Sequence, residues 1–146
     1  AAWVRAGGTL VVWRAQGVGV AAAAGLTSAR VRAGDRPKVE GVLLGLGLDD
    51  GDPVAWGEQP RSFAFDAGDP VLSAGGAHVA GRYPGDASFF VSGYAGGTAP
   101  LRGSPAIVDD VVGAGRVVLF SFDPAYRGYA EGTERLVANA LLAPRP

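Results

Sequence analysis

The sequence contains no cysteine and no methionine, a single lysine, Lys38, and a single histidine, His78. Without cysteine the chain forms no disulfide, offers no thiolate nucleophile and builds no cysteine-based zinc or iron–sulfur site. One histidine excludes a His–His metal pair or a histidine relay made within this chain. Because methionine is absent, we expect the 146 residues to be a processed or excised piece of a longer protein.

A charge excess and long apolar runs are also missing. The chain has 13 Lys and Arg against 14 Asp and Glu, and its basic residues are scattered among acids, so no nucleic-acid footprint is visible. The longest weakly polar stretch, residues 17–26, is far shorter than the roughly 18–20 apolar residues that span a bilayer. We therefore expect no nucleic-acid partner and no membrane span. The 48% hydrophobic content suits one domain over residues 1–146.

What is present is an alternation of β-branched or aromatic runs with helical patterns, bounded by Gly, Pro and Asp. Glycines at 113 and 115 mark a three-residue hairpin loop. Predicted helices cover residues 1–6 (a helix end), 16–25 and 131–142, the last of them amphipathic. Predicted strands cover residues 9–13, 38–44, 63–65, 71–73, 78–83, 89–94, 106–112 and 116–122. This order predicts an α/β layer arrangement.

Residues 17–22, Gly-Val-Gly-Val-Ala-Ala, match the G-x-G-x-x-A pattern that follows a strand and opens a helix. In that context backbone N–H groups and the helix dipole can hold a pyrophosphate. However, three residues separate Trp13 from Gly17, and neither Asp35 nor Glu40 ends a convincing second strand. With 24 glycines in the chain, chance matches are common, so the pattern only weakly indicates a nucleotide site.

Two further candidates for chemistry are the histidine and the serines. A strand histidine with an ordinary hydrogen bond is favoured over a catalytic His78. Neither Ser92 nor Ser104 lies in a G-x-S-x-G elbow, so nucleophilic hydrolysis has no support.

The acidic residues suggest turns and surface positions. Asp49, Asp50 and Asp52 resemble half of a calcium loop, but the bidentate glutamate is missing, so a solvated turn is favoured. Asp109 and Asp110 are neighbours on a predicted strand and point to opposite faces, so they do not act on one substrate together. We expect one of these two to be an edge or surface residue. No catalytic, cofactor-binding or metal-binding residue is assigned.

The aromatic residues allow two interpretations. They could line a sugar- or peptide-binding surface, but aromatics in strands and at helix ends are more often core, and core is favoured. The residues concerned are Trp3, Trp13, Trp56, Tyr83, Tyr94, Tyr126 and Tyr129.

Three segments resemble class I glutamine amidotransferase-like domains. Residues 4–12 are similar to their junction of helix, Gly-Gly-Thr-Leu and strand, and residues 52–57, Asp-Pro-Val-Ala-Trp-Gly, to their Pro-Leu-Ala-Phe-Gly segment. Residues 115–124, with Tyr126-Arg127 and residues 131–141, resemble the closing strand and helix of the amidotransferase-like domain appended to bacterial zinc carboxypeptidases.

The resemblance implies a three-layer, flavodoxin-like α/β fold whose first strands and helices are encoded upstream. It implies a parent that removes C-terminal residues from peptides, using zinc held by an H-x-x-E pair and a later histidine, with a glutamate as general base. Those ligands are absent here, as is the cysteine nucleophile of a working amidotransferase. The chain would then be a catalytically silent accessory domain, without a cofactor of its own, in a secreted or envelope-associated protein. Its partners would be the peptidase domain and further copies of itself.

The alternative is a stand-alone binding module. It would hold a nucleotide at residues 17–22, or a glycan or peptide on the aromatic residues.

Overall fold

The computed structural model describes residues 1–34, 37–39, 41–94 and 96–144. The helices are α1 (Ala2–Arg5), α2 (Arg14–Ala23) and α3 (Glu131–Leu142). The strands are β1 (Thr9–Trp13), β2 (Arg30–Val31), β3 (Val42–Leu48), β4 (Arg61–Asp66), β5 (Leu72–Ser73), β6 (His78–Arg82), β7 (Phe90–Gly93), β8 (Pro105–Val112) and β9 (Gly115–Phe120). Short 3₁₀ turns cover Pro53–Ala55, Ala87–Phe89, Ala99–Leu101 and Tyr126–Gly128.

Seven strands form one mixed sheet in the order β1-β9-β8-β6-β3-β4, and β7 also pairs with β3. β1 and β9 run parallel, from Thr9 opposite Arg116 to Trp13 opposite Phe120. The other pairings of this sheet, among the described residues, are antiparallel. β2 and β5 form a separate antiparallel ribbon.

The expected α/β arrangement, a three-layer, flavodoxin-like fold, is wrong, because the chain is mostly sheet with few helices. That fold is built on a sheet of parallel strands, and parallel neighbours need crossover connections of a dozen or more residues. Here Gly113 and Ala114 alone join β8 to β9, which makes these two strands antiparallel. β4, β5 and β6 likewise follow one another through short connections without a helix between them. In the described part of the chain, one pair of neighbouring strands is parallel.

Most local predictions are confirmed, with shifted bounds. α3 has the predicted bounds, and the hairpin forms, but its loop has two residues because Gly115 pairs with Val112. Gly113 has φ +67, and a Cβ there would lie 2.7 Å from the Arg5 carbonyl oxygen, so this turn requires glycine. The strand predicted over residues 38–44 is displaced to Val42–Leu48. Asp35 and Glu40 lie outside the described residues.

The core occupies both faces of the sheet, and β9 contributes to each. Val117 and Leu119 join the apolar cluster that contains Val18 and Ala21 of α2. Their neighbours in sequence join the cluster on the other face, which contains Leu136 and Ala140 of α3. β9 is therefore buried on both faces, and its apolar run from Val117 to Phe120 is typical of such a strand. Among the described helices, none is long and apolar enough to cross a bilayer.

Candidate functional site

The turn from β1 into α2 holds Arg14 in a strained conformation. β1 ends at Trp13 and α2 begins at Arg14, with no residue between them. Arg14 has φ +59, a region that residues other than glycine rarely occupy. A sharp, strained strand-to-helix turn holds the nucleophilic serine of α/β hydrolases above the end of their sheet. Here the turn carries a guanidinium, which stays protonated and is no nucleophile.

Gly17 lets α2 pack closely on β1. A Cβ on Gly17 would lie 2.9 Å from the Cβ of Val12. Because α2 begins at Arg14, residues 17–22 lie inside the helix, where their N–H groups bond to carbonyls one turn earlier. These N–H groups are not available to a pyrophosphate, so the geometry does not support the nucleotide alternative.

Asp69 holds the Arg14 side chain in place. Arg14 Nε lies 2.7 Å from Asp69 Oδ1, and the Asp69 side chain is 2% exposed whereas that of Arg14 is 40% exposed. Burial raises the pKa of Asp69, and the charge of Arg14 opposes that rise. The guanidinium thus lies against a buried carboxylate, with Nε nearest to it, and remains partly open to solvent.

Asp66 is a second buried carboxyl group at this end of the sheet. Its Oδ1 accepts the N–H groups of Gly68 at 3.0 Å and Asp69 at 3.2 Å. Burial, together with the charge of Asp69, raises the pKa of Asp66 to about 6. The buried Tyr83 hydroxyl lies 3.2 Å from Ser121 Oγ, and burial followed by the charge of Asp66 raises the pKa of Tyr83. Asp66 is therefore committed to the fold rather than presented to a ligand.

Arg14 and Asp69 open onto a groove of about 450 Å³. We call this the Arg14 groove; the residues that define its chemistry are Arg14, Gln16, Arg32, Gly34, Gly68 and Asp69. The groove lies where β1 and β9 finish, which we call the carboxyl end of the sheet. Sequence reasoning missed it, although the strand over residues 9–13 ends directly before Arg14.

The histidine and the acidic turn meet at the other end, where β9 begins and β3 finishes, which we call the amino end. His78 Nε2 lies 3.1 Å from Asp49 Oδ2 and 3.3 Å from Asp52 Oδ2. Each carboxylate also accepts a backbone N–H of its own loop, from Gly51 and Val54 respectively. The turn forms as predicted, but it is not fully solvated, because Asp52 is buried and both aspartates contact His78. In the part of the chain that the structure describes, no three or more His, Cys, Asp or Glu side chains are arranged to hold a metal ion.

Asp109 and Asp110 point to opposite faces of β8, as the strand alternation predicts. Asp109 accepts Arg116 Nε at 3.3 Å and Arg116 Nη2 at 2.5 Å, and both side chains are buried. Burial raises the pKa of Asp109, and the charge of Arg116 opposes that rise. Asp110 accepts the Thr27 hydroxyl at 2.8 Å. Neither residue lies at an edge, because β8 lies between β9 and β6, so that half of the expectation is wrong. Asp110 is only partly buried, whereas Asp109 is buried, so Asp110 is the one of the two that lies nearer the surface.

The aromatic residues only partly follow the core prediction. Tyr83 is fully buried, and Tyr126 stacks on Phe65 with ring centroids 4.5 Å apart. The remaining members of the set are exposed to solvent: Trp3, Trp13, Trp56, Tyr94 and Tyr129.

Comparison with known proteins identifies a similar fold but no family. No family model matches the sequence, and no curated protein matches it. The chain is similar to the beta-galactosidase from Bacillus circulans sp. alkalophilus, with a TM-score of 0.58 and 15% identity over 95% of this chain. It is also similar to the exo-beta-1,4-mannosidase Op5Man5 from Opitutaceae bacterium strain TAV5, with a TM-score of 0.53 and 15% identity over 99% of this chain. The likeness covers 19% and 22% of those chains, so this chain shares its fold with about a fifth of each glycosidase.

Proposed function

We propose that this chain is a non-catalytic accessory domain of a multidomain glycoside hydrolase. The observation that carries the proposal is the coverage of the fold likeness, which takes in 95% and 99% of this chain but 19% and 22% of two glycosidases. A fold unit that accounts for a minor share of a large enzyme suits an accessory role.

The surroundings of the buried acids also support a non-catalytic role. Most glycosidases place two carboxyl groups on either side of a bound sugar, one to protonate the leaving oxygen and one to act as base or nucleophile. Asp66 is fully buried and holds backbone N–H groups, while Asp69 holds Arg14. Asp109 is closed off by Arg116. None of these three presents a free carboxylate to a sugar.

A zinc carboxypeptidase parent, an exported location and self-association stay predictions of the sequence motifs. The fold likeness does not favour that parent. Both parents give this chain the same accessory role, and they differ in the reaction that the rest of the protein performs.

Expression of the complete reading frame that contains this chain tests the proposal. Hydrolysis of chromogenic β-galactosides and β-mannosides, and of a peptide with a free C-terminus with and without chelator, is measured for the complete protein and for this chain alone. We expect glycoside hydrolysis by the complete protein and none by this chain, provided that circular dichroism shows it folded. Chelator-sensitive peptidase activity would instead favour the zinc carboxypeptidase parent. Glycoside hydrolysis by this chain alone would overturn the accessory role.

A further inference from the structure

The Arg14 groove has the features of a ligand site that an accessory role does not require. Arg14 Nε faces Asp69, which leaves Nη1 and Nη2 as a planar fork, and the side chain is 40% exposed. Among the described residues, Asp69 is the partner that the guanidinium contacts. Arg116 shows the contrasting arrangement, because its Nε and Nη2 both bond to Asp109 and its side chain is 7% exposed. If Arg14 served only to neutralise the buried Asp69, its guanidinium could be buried and bonded to the carboxylate twice, as that of Arg116 is.

The guanidinium of Arg14 and the size of the groove favour a small anion. Arg14 presents its two Nη groups to the groove as charged hydrogen-bond donors, beside Asp69. Gln16 adds a neutral amide to the lining. The volume of about 450 Å³ falls within the range of small-molecule sites. An arginine on a flat part of the surface would not be enclosed in this way.

We propose that the Arg14 groove binds a small molecule that carries a carboxylate, with Arg14 Nη1 and Nη2 donating to its two oxygens. The guanidinium fork matches the spacing of carboxylate oxygens, and such charge-assisted, bidentate bonds are among the strongest in proteins. Asp69 acts as the positioning residue, since it contacts Arg14 rather than the ligand. The strained φ of Arg14 and the burial of Asp69 both cost stability, and features of that kind cluster at functional sites.

Amide NMR spectra of the 146-residue chain test this proposal with three probes. Glucuronate is a sugar that carries a carboxylate. Glucose is the matching neutral sugar, and inorganic phosphate is a small anion that is tetrahedral rather than planar. We expect saturable shifts of the Ala15, Gln16 and Gly68 amides with glucuronate. We expect no saturable shift with glucose and weaker binding of phosphate.

The double variant Arg14→Gln/Asp69→Asn removes the fork without leaving a buried charge unpaired. A hydrogen bond to a charged group is typically worth a factor of about 10 to 100 in affinity, and we expect a loss of that size for glucuronate. Arg14→Lys, which keeps the charge but not the fork, should bind with intermediate affinity. The control is Arg61→Gln, an exposed arginine on β4 outside the groove, which should bind glucuronate as the unchanged chain does. Dispersed amide spectra confirm that each variant is folded.

Three results would overturn the proposal. One is the absence of a saturable shift up to about 10 mM glucuronate, a concentration above the dissociation constants of weak specific complexes. Another is equal glucuronate affinity in the folded double variant and the unchanged chain. The third is binding of glucose or phosphate as tight as that of glucuronate, which would show that the carboxylate is not what the groove selects.

Discussion

The two ends of the sheet each hold an arginine–aspartate pair, and the two pairs differ in their access to solvent. At the amino end, Arg116 and Asp109 are 7% and 3% exposed and share two hydrogen bonds. At the carboxyl end, Asp69 is as buried as Asp109, but Arg14 is 40% exposed and contacts Asp69 through Nε. The same two residue types therefore form a closed pair inside the sheet and an open pair beside a groove.

The backbone accounts for the difference between the pairs. Arg116 lies on β9 and Asp109 on the adjacent β8, so regular strand geometry brings their side chains together on one face. Arg14 lies at the sharp turn between a strand and a helix, and a strained φ directs it toward Asp69. The closed pair follows from the regular sheet, whereas the open pair depends on an irregular turn. This contrast indicates that the closed pair supports the fold and the open pair supports a site.

The largest effect is expected from Arg116→Leu, which leaves Asp109 buried without a cation. Removal of one member of a buried ion pair typically costs about 3–5 kcal/mol, and we expect a loss in that range in urea unfolding at pH 7. The double variant Arg116→Leu/Asp109→Leu should recover most of the loss, because apolar residues can replace a buried pair. A loss below about 1 kcal/mol in the single variant would contradict a structural role for the closed pair.

The elements of the fold could be predicted where the signal is local. The amphipathic period of α3 and the two apolar runs around Gly113 lie within short windows, and these elements form as predicted. The order of the strands could not be predicted, because β1 pairs with β9 about 100 residues later in the chain and no local pattern encodes that choice. The flavodoxin-like expectation came from motifs at single elements, which do not report how the intervening strands pair.

The candidate site was less predictable than the fold. The predicted helix began at residue 16, which left Arg14 in a loop, whereas α2 begins at Arg14 itself. A search for a G-x-S-x-G elbow also passes over a strained turn that carries arginine. Asp69 lies 55 positions after Arg14, and no spacing rule joins them. His78 and the Asp49 turn were each noticed, but their contact is equally non-local.

The next largest effect is a pH dependence that Asp66 gives to the carboxyl end. Its pKa is about 6 in the folded chain against an ordinary value of 3.8, so between these values the folded state holds more protons than the unfolded state. Stability should therefore fall as pH rises from about 4 to about 6, by at most about 3 kcal/mol, with no further change from this group at higher pH. Asp66→Asn keeps an acceptor for both N–H groups and should flatten that slope in urea unfolding at several pH values. An unchanged slope would show that Asp66 is not the titrating group.

A smaller loss is expected from Arg14→Leu, the matched change at the open pair. Because Arg14 is partly exposed, water can take the place of its guanidinium beside the buried Asp69, which also accepts the Ala67 N–H at 3.4 Å. We expect a loss of about 1 kcal/mol in urea unfolding at pH 7, clearly below that of Arg116→Leu. Arg14→Gly serves as a second variant, because it also relieves the positive φ and should lose less than the leucine variant. Equal losses for Arg14→Leu and Arg116→Leu would remove the distinction between an open and a closed pair.

The smallest effect is expected from His78→Ala, which tests whether the amino end depends on exposed charges as well as on its closed pair. His78 is about half exposed, and Asp49 and Asp52 keep their backbone N–H partners when the histidine is removed. Contacts of exposed side chains of this kind typically contribute about 0–1 kcal/mol, so the change in thermal and urea unfolding should stay below about 1 kcal/mol. Asp49→Asn, which alters the same contact from the other side, should give a change of similar size. A loss near that of Arg116→Leu would mean that the exposed contact with His78, rather than the closed pair alone, stabilises this end of the sheet.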